Sequence, residues 1–293
     1  MRKQLLTSLL LLSLLAHATA QDLLSQLQSS EPKEKEYVMQ TFKGTRVVNG
    51  FSVETKGKGE LEFIISHRFG RLNSGAYEFF GLDNASIRLG LEYGLTDNLG
   101  VGVGRSKNNK IYDGYLKYKA IKQAKGGAPI TITLVGTTGL VTVDTTFTTP
   151  KLNAQQKLYY SAHALIARKF SPKFSMQISP AILHANLVST GEVNTLATMG
   201  VGARYKLNGS LSINGEYFHR FNAPDETYQN CIGLGLDIET GGHVFQLILS
   251  NTDGMVDRTY LGNTDGKFFS GDINFGFNIT RTFQIKGEKK SKG

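Results

Sequence analysis

Hydrophobic residues fall on every second position of "SIRLGLEYGLTDNLGVGVGRS", residues 86–106, on both sides of a short polar turn. Ile87, Leu89, Leu91, Tyr93 and Leu95, then Leu99, Val101 and Val103, form one apolar face. Ser86, Arg88, Gly90, Glu92, Gly94, Gly100 and Gly102 form the other. A period of two over this length predicts strands with unlike faces. From residue 60 onward twelve such segments follow one another, at approximately 60–69, 84–96, 98–106, 110–121, 129–142, 157–170, 174–187, 195–207, 210–222, 229–239, 243–251 and 270–285. Pro180, inside "QISPAIL", interrupts the seventh and predicts a bulge or local kink there.

The joins between segments alternate in length. "TDN", "KQAKGGAP", "SPKF", "LNGS" and "TGGH" are tight, whereas "GRLNSGAYEFFGLD", "DTTFTTPKLNAQQ" and "TDGMVDRTYLGNTDGKFF" are long, with "SKNN" and "VSTGEVNT" as short exceptions. Outward aromatics gather at two heights. Tyr93, Tyr118, Phe170, Phe174, Tyr205 and Phe283 lie near the short turns; Phe69, Tyr112, Tyr160, Tyr217 and Phe221 lie near the long loops. Two aromatic girdles around an aliphatic band suit a strand protein whose greasy side is wetted by lipid. Bare strand edges cannot be hydrated in hydrocarbon, so the sheet must close on itself. The expectation is an all-β chain folded as a closed antiparallel up-and-down transmembrane β-barrel of about 12 strands. A soluble sandwich or lipocalin-like barrel would bury the apolar side instead. It explains the girdles less well, and twelve strands are many for one small core.

The N-terminus agrees with this. Arg2 and Lys3 precede an apolar run from Leu5 to Leu15 and then Ala18-Thr19-Ala20, the pattern of a secretory signal over residues 1–20. Residues 21–59 read as an N-terminal segment that either lies in the periplasm or tucks into the barrel, with "GTRVVNGFSVETKGKG" running extended into the first strand. The barrel spans 60–285, and 286–293 is a basic tail. The formal net charge is +9, falling by two once Arg2 and Lys3 are removed. Without a nucleic-acid motif, this excess points to anionic lipid, the cell envelope or charged solutes. The lone Cys231 excludes an internal disulfide. Thirty-three glycines, six prolines and no tryptophan suit strands and tight turns.

The segments "FKGTRVVNGFSVETKGKGELEFIISHRFG", "FFGLDNASIRLGLEYGLTDNLGVGVGRS", "YDGYLKYK", "LIARKFSPKFSMQISP", "ARYKLNGSLSINGEYF", "IETGGHVFQL" and "GDINFGFNITRTF" carry a resemblance over nearly the whole chain from about Phe42. The chain resembles a family of bacterial membrane-bound β-barrel proteins known as a domain of unknown function. The resemblance implies an outer-membrane barrel and supplies no substrate or catalytic residue. Outer-membrane barrels often end on an aromatic residue read by the assembly machinery; here Phe283 is followed by "QIKGEKKSKG".

Chemistry is sparse. His67, His219 and His243 fall on the outward face, His163 faces inward, and no HxxxH or HExxH spacing suggests a metal. Ser66 and Ser161 face inward beside possible bases, but such pairs arise readily in a polar lumen. "GLGLDIETGG" and "GVGVGRS" lack the strand-to-helix context of a phosphate loop, so their inward glycines relieve bulk. The inward charges are the better lead. Glu60, Glu62, Glu92, Asp237 and Glu239, on the first, second and tenth segments, share the short-turn level with Lys117, Lys119, Lys169 and Arg204, on the fourth, sixth and eighth, which puts acids and bases on opposite walls of a closed ring. They would either bias a passage for small polar or charged solutes or pair locally and plug it. The expected function is a porin-like channel with outer-membrane lipid and assembly machinery as partners, and no enzyme activity, cofactor, metal or nucleic acid. The alternatives are a closed barrel that binds a partner through loops 70–83, 143–156 and 251–269, and a hydrolase using His163.

Overall fold

Twelve alternating segments become twelve antiparallel strands in one closed barrel. The computed structural model describes residues 35–143, 151–224 and 227–285. The strands are β1 (Glu60–Arg71), β2 (Ala85–Gly94), β3 (Leu99–Ser106), β4 (Ile111–Ile121), β5 (Thr131–Val141), β6 (Leu158–Lys169), β7 (Phe174–Ala185), β8 (Thr195–Lys206), β9 (Leu211–Arg220), β10 (Cys231–Thr240), β11 (His243–Ser250) and β12 (Asn274–Gln284). The expected signal at 1–20, the centre of the 143–156 loop and the tail at 286–293 lie outside the described residues.

Each strand pairs with the next, and β12 returns to β1, with Gln284 opposite Glu60 and Asn274 opposite Arg71. Closure leaves no bare edge. Register keeps like faces together: Leu91 meets Phe63 and Val103, and Leu247 meets Leu236 and Phe277, all outward. A slip of one residue would turn every greasy side chain into the lumen, so the alternation itself fixes the pairing. Both aromatic girdles stand on the outer surface, with Tyr118, Phe170, Tyr205 and Phe283 at one end and Tyr112, Tyr160, Tyr217 and Phe221 at the other.

Register shifts occur between Lys119 and Ile121 on β4 and between Asn274 and Gly276 on β12. Pro180 causes none. Its pairing with Met199 on β8 is unbroken; on the β6 side the ladder lapses between His163↔Ala181 and Ile166↔Ile178 and resumes in the same register. A proline has no N–H to give, so the ladder lapses beside it, and no extra residue is inserted.

Inside, the barrel is full. Residues 41–55, which precede β1, enter from the short-turn end, and Phe42, Val47, Val48, Phe51 and Val53 pack with Tyr115, Val135, Leu165, Ala167 and Ile248. From the other end, the β11–β12 connection folds inward and packs Val256, Tyr260 and Leu261 on Ile111, Tyr159, Leu183, Leu196 and Phe218. Inward glycines make the room: a Cβ on Gly233 or Gly235 would meet the Val48 methyls at 3.0 or 3.3 Å.

If lipid wets the outer wall, depth decides what a charge costs there. Leu247→Arg, midway along β11, should destabilise the barrel by about 2–4 kcal/mol, and Leu207→Arg, just beyond β8, by about 0–1 kcal/mol. Denaturant titration of each variant folded into lipid vesicles checks this, and equal costs would contradict it.

Candidate functional site

The segment 41–55 is a hairpin. Val47 N–H donates to Gly50 O at 2.9 Å and Ser52 N–H to Thr45 O at 3.0 Å, with Arg46 bridged to Phe51. The Val47–Gly50 pair closes the turn around Val48-Asn49. The Arg46 guanidinium lies 3.6 Å from the centre of the Phe51 ring and closes the open side.

No strand of the barrel extends its ladder onto this hairpin. Instead, inward side chains take up its backbone groups. The buried Glu216 carboxylate accepts from three consecutive amides, Val48 (3.2 Å), Asn49 (2.7 Å) and Gly50 (3.1 Å). Gln177 accepts from Val53 N–H at 2.9 Å and donates to Phe51 O at 2.8 Å. Gln246 donates to Val47 O, Asn278 to Val48 O and Thr133 to Val53 O. Arg68, buried, donates to the Asn49 and Asn278 side-chain oxygens. Buried backbone polar groups must find partners, and here the lumen wall supplies them.

Of the nine charges read from the sequence, Lys117, Lys119, Glu62 and Glu239 touch the inserted segment, and Lys169, Arg204 and Glu60 touch residues flanking it. Lys117, fully buried, donates to Glu54 O at 2.5 Å and lies 3.6 Å from Glu92, which accepts from Tyr115 OH. Lys119 lies 3.6 Å from the Glu54 carboxylate. Glu62 pairs with Lys56 at 2.6 Å and accepts from Thr45. Glu239 pairs with Lys43, and Glu60 accepts from Gly57 N–H. Lys169 donates to Met39 O; Arg204 donates to Gln40 O and to Ser212. Asp237 accepts from Gln246. Acids and bases therefore do not stand on opposite walls across open water: Lys117 and Glu92 meet directly, and Lys119, Glu62 and Glu239 meet the hairpin or Lys56 beside it. A recess of about 610 Å³ persists beside it, lined by Lys43, Lys56, Glu62, Glu239 and Thr282. It shares Val244 and Thr280 with a second recess of about 340 Å³ that reaches Asp237 and Asn278.

At the long-loop end, Asp257 is the central residue, and no motif singled it out. Its Oδ2 accepts from Ser161 at 2.5 Å and Thr137 at 2.9 Å and lies 3.1 Å from His163 Nε2, while its Oδ1 accepts from Tyr260 OH at 2.8 Å. Burial would raise this carboxyl, but the His163 charge and hydrogen bond, with Ser161, hold it below the usual carboxylate range. The set is not a nucleophile relay. Ser161 and Asp257 both meet Nε2, whereas a relay needs the serine on one ring nitrogen and the carboxylate on the other. What it can do is latch the loop to β5 and β6. The same imidazole touches the hairpin, its ring centre 5.7 Å from that of Phe51. Among the described residues no three His, Cys, Asp or Glu converge to hold a metal ion. Asp113, paired with Arg88 at 2.5 Å, is a further buried ion pair that sequence reading did not select.

Replacing a carboxylate oxygen by an amide nitrogen leaves buried hydroxyl donors among Ser161, Thr137 and Tyr260 without an acceptor and costs about 3 kcal/mol. Asp257→Asn should therefore speed hydrogen exchange at residues 255–261 by at least about a hundredfold at neutral pH. A carboxyl depressed in the folded state contributes stability that is present above its ordinary value of 3.8 and is lost only as pH falls through the lowered value. Protection of 255–261 in the wild type, corrected for intrinsic rates, should accordingly persist from pH 7 to pH 4. Loss within that range would contradict the latch.

Among solved structures the chain is similar to the NanC porin, at 9% identity over 78% of this chain and 100% of that one, with a TM-score of 0.47. It is similar to an outer membrane channel from Pseudomonas putida F1, at 12% identity over 79% and 98%, TM-score 0.49. It is also similar to outer membrane phospholipase A from Escherichia coli, at 11% identity over 75% and 89%, TM-score 0.44. Comparison with curated proteins gives no match. Residues 42–283, from the hairpin's Phe42 to Phe283 on β12, match the family described as membrane bound beta barrel domain (DUF5777), and the chain belongs to that family.

Proposed function

We propose that the protein is a gated outer-membrane channel for small polar or charged solutes, closed at rest by its own hairpin. The sequence supports export through residues 1–20, and both the hairpin and the end of β12 lie at the short-turn end, which this reading places in the periplasm. The observation that carries the proposal is the way the hairpin is held. Side chains of Glu216, Gln177, Gln246, Asn278 and Lys117 grip its backbone, and its own backbone bonds stay within it. A segment docked in this way can leave without unzipping a strand. Once it leaves, the acids Glu62, Glu92 and Asp237 and the bases Lys117, Lys169 and Arg204 are released to water around an aqueous path, where they bias which ions pass.

A closed barrel that serves only to hold a partner is the second reading, favoured by the double closure from both ends. Planar bilayers separate the two. The wild type should be silent or nearly so, and deletion of 41–55 should give stable conductance. Glu216→Ala strands three buried amides, costs the docked state roughly 3 kcal/mol or more, and should raise the open fraction by about a hundredfold. Charge selectivity is then tested in the deleted form, because Lys117 also anchors the hairpin: reversal of Lys117 and Lys119 to Glu should shift the reversal potential toward cations. A deleted barrel that inserts, migrates as a heat-modifiable band and conducts nothing would sink the channel reading.

A further inference from the structure

The outer wall between β1 and β4 is not an even palisade. Phe63, Leu89, Leu91, Val103 and Tyr112 surround a depression of about 570 Å³ whose lining is almost wholly apolar, with Arg105 at its long-loop edge. It arises partly because Gly114, the partner of Val103 on β4, contributes no side chain; a Cβ there would meet nothing nearer than Gly102 O at 3.8 Å. Lipid tails wet the whole outer wall, so a hollow of this kind is a place where one chain can settle more closely than its neighbours.

Charge makes the hollow selective. The Arg105 guanidinium lies 5.2 Å from the centre of the Tyr112 ring, which holds it at the interface. Lys107 and Lys110 follow in the turn above, both exposed. Among the described residues none of these three cations is in an ion pair, and the nearby Asp113 carboxylate is already committed inward to Arg88. Directly above β1 and β2, their connection exposes Tyr77, Phe79 and Phe80. Phe79 and Phe80 are held at φ 45° and 54°, a left-handed conformation that bulky residues rarely adopt. Three cations outside the described ion pairs, Lys107 bonded to the Ala85 carbonyl at 2.8 Å, stand over an apolar hollow beneath a rim of displayed aromatic rings and complement an amphiphile with an anionic head.

We propose that this wall binds one multiply phosphorylated glycolipid of the leaflet at the long-loop end. An acyl chain lies in the hollow, and a phosphate sits on the Arg105 fork, whose geometry suits phosphate oxygens. Three cations call for more than one negative charge, so the headgroup carries two phosphates. A zwitterionic phospholipid would bring its own ammonium against Lys107 and Lys110. The site stands on the outer wall and does not depend on whether the lumen conducts.

Native mass spectrometry of the full-length protein in detergent tests it, with diphosphorylated lipid A, phosphatidylglycerol and phosphatidylethanolamine as probes. The wild type should retain one lipid A at least tenfold more tightly than either phospholipid. Arg105→Gln should lower that retention tenfold or more, and Gly114→Phe, which fills the hollow, should do the same. Heat modifiability confirms that each variant is a folded barrel; should Gly114→Phe fail that check, Arg105→Gln decides alone. Retention unchanged in Arg105→Gln, or phosphatidylglycerol held as tightly as lipid A, overturns the proposal.

Discussion

A barrel wetted by hydrocarbon has its polar side indoors, so every inward donor and acceptor must find a partner within the lumen or in water. In this chain the partner is a peptide backbone. Glu216, Gln177, Gln246, Asn278, Thr133 and Lys117 project from different strands and converge on the amides and carbonyls of residues 45–54. Much else follows from that match. The hairpin brings five apolar side chains into a cavity lined largely by polar ones, and gives the inward Tyr115, Val135, Leu165 and Ile248 something to pack against. Without it those residues would face water.

The two closures are joined most directly through His163. His163 meets Phe51 of the hairpin by its ring and Asp257 of the long loop by Nε2. Asn49 makes a second link, to Arg68 on β1 and Ser250 on β11, immediately before the inserted loop begins. Removing either closure therefore alters the surroundings of the other. Such coupling is carried by direct contact, so it needs no deformation of the barrel wall, whose closed ladder resists bending.

The barrel was legible in the sequence because strand alternation is local: Leu89, Leu91 and Val103 announce their face without knowledge of the rest of the chain. The lumen charges were legible by the same parity, and their grouping at the short-turn level followed from strand order. The hairpin was not. Val47 and Val48 are adjacent and both buried, since an inserted segment is enclosed on all sides and shows no period of two. The Asn49-Gly50 step was the available signal, and it points to a turn without saying where the turn goes. Asp257 was hidden for a related reason. A loop over water should be polar, and the run Met255-Val256 with Tyr260-Leu261 in "TDGMVDRTYLGNTDG" departs from that. Apolar residues in a long connection were the mark of a segment that folds inward.

The placement of Lys117 shows why pairing and passage need not be rival explanations of the same charges. Its ammonium is fully buried, 3.6 Å from Glu92 and bonded to the Glu54 carbonyl. An ion pair this deep is a weak source of stability, because desolvation offsets most of its attraction. An apolar pair of similar volume would close the lumen at least as firmly. It would also close it for good, since exposing that surface to water on release would be unfavourable. Charged groups would lose little if the hairpin left, because water would solvate them as well as the backbone does. On the proposed reading, a wall built from Lys117, Glu92, Glu62 and Arg204 would suit both an occupied and an emptied lumen, while the apolar contacts of Phe42, Val47, Val48, Phe51 and Val53 set the cost of release.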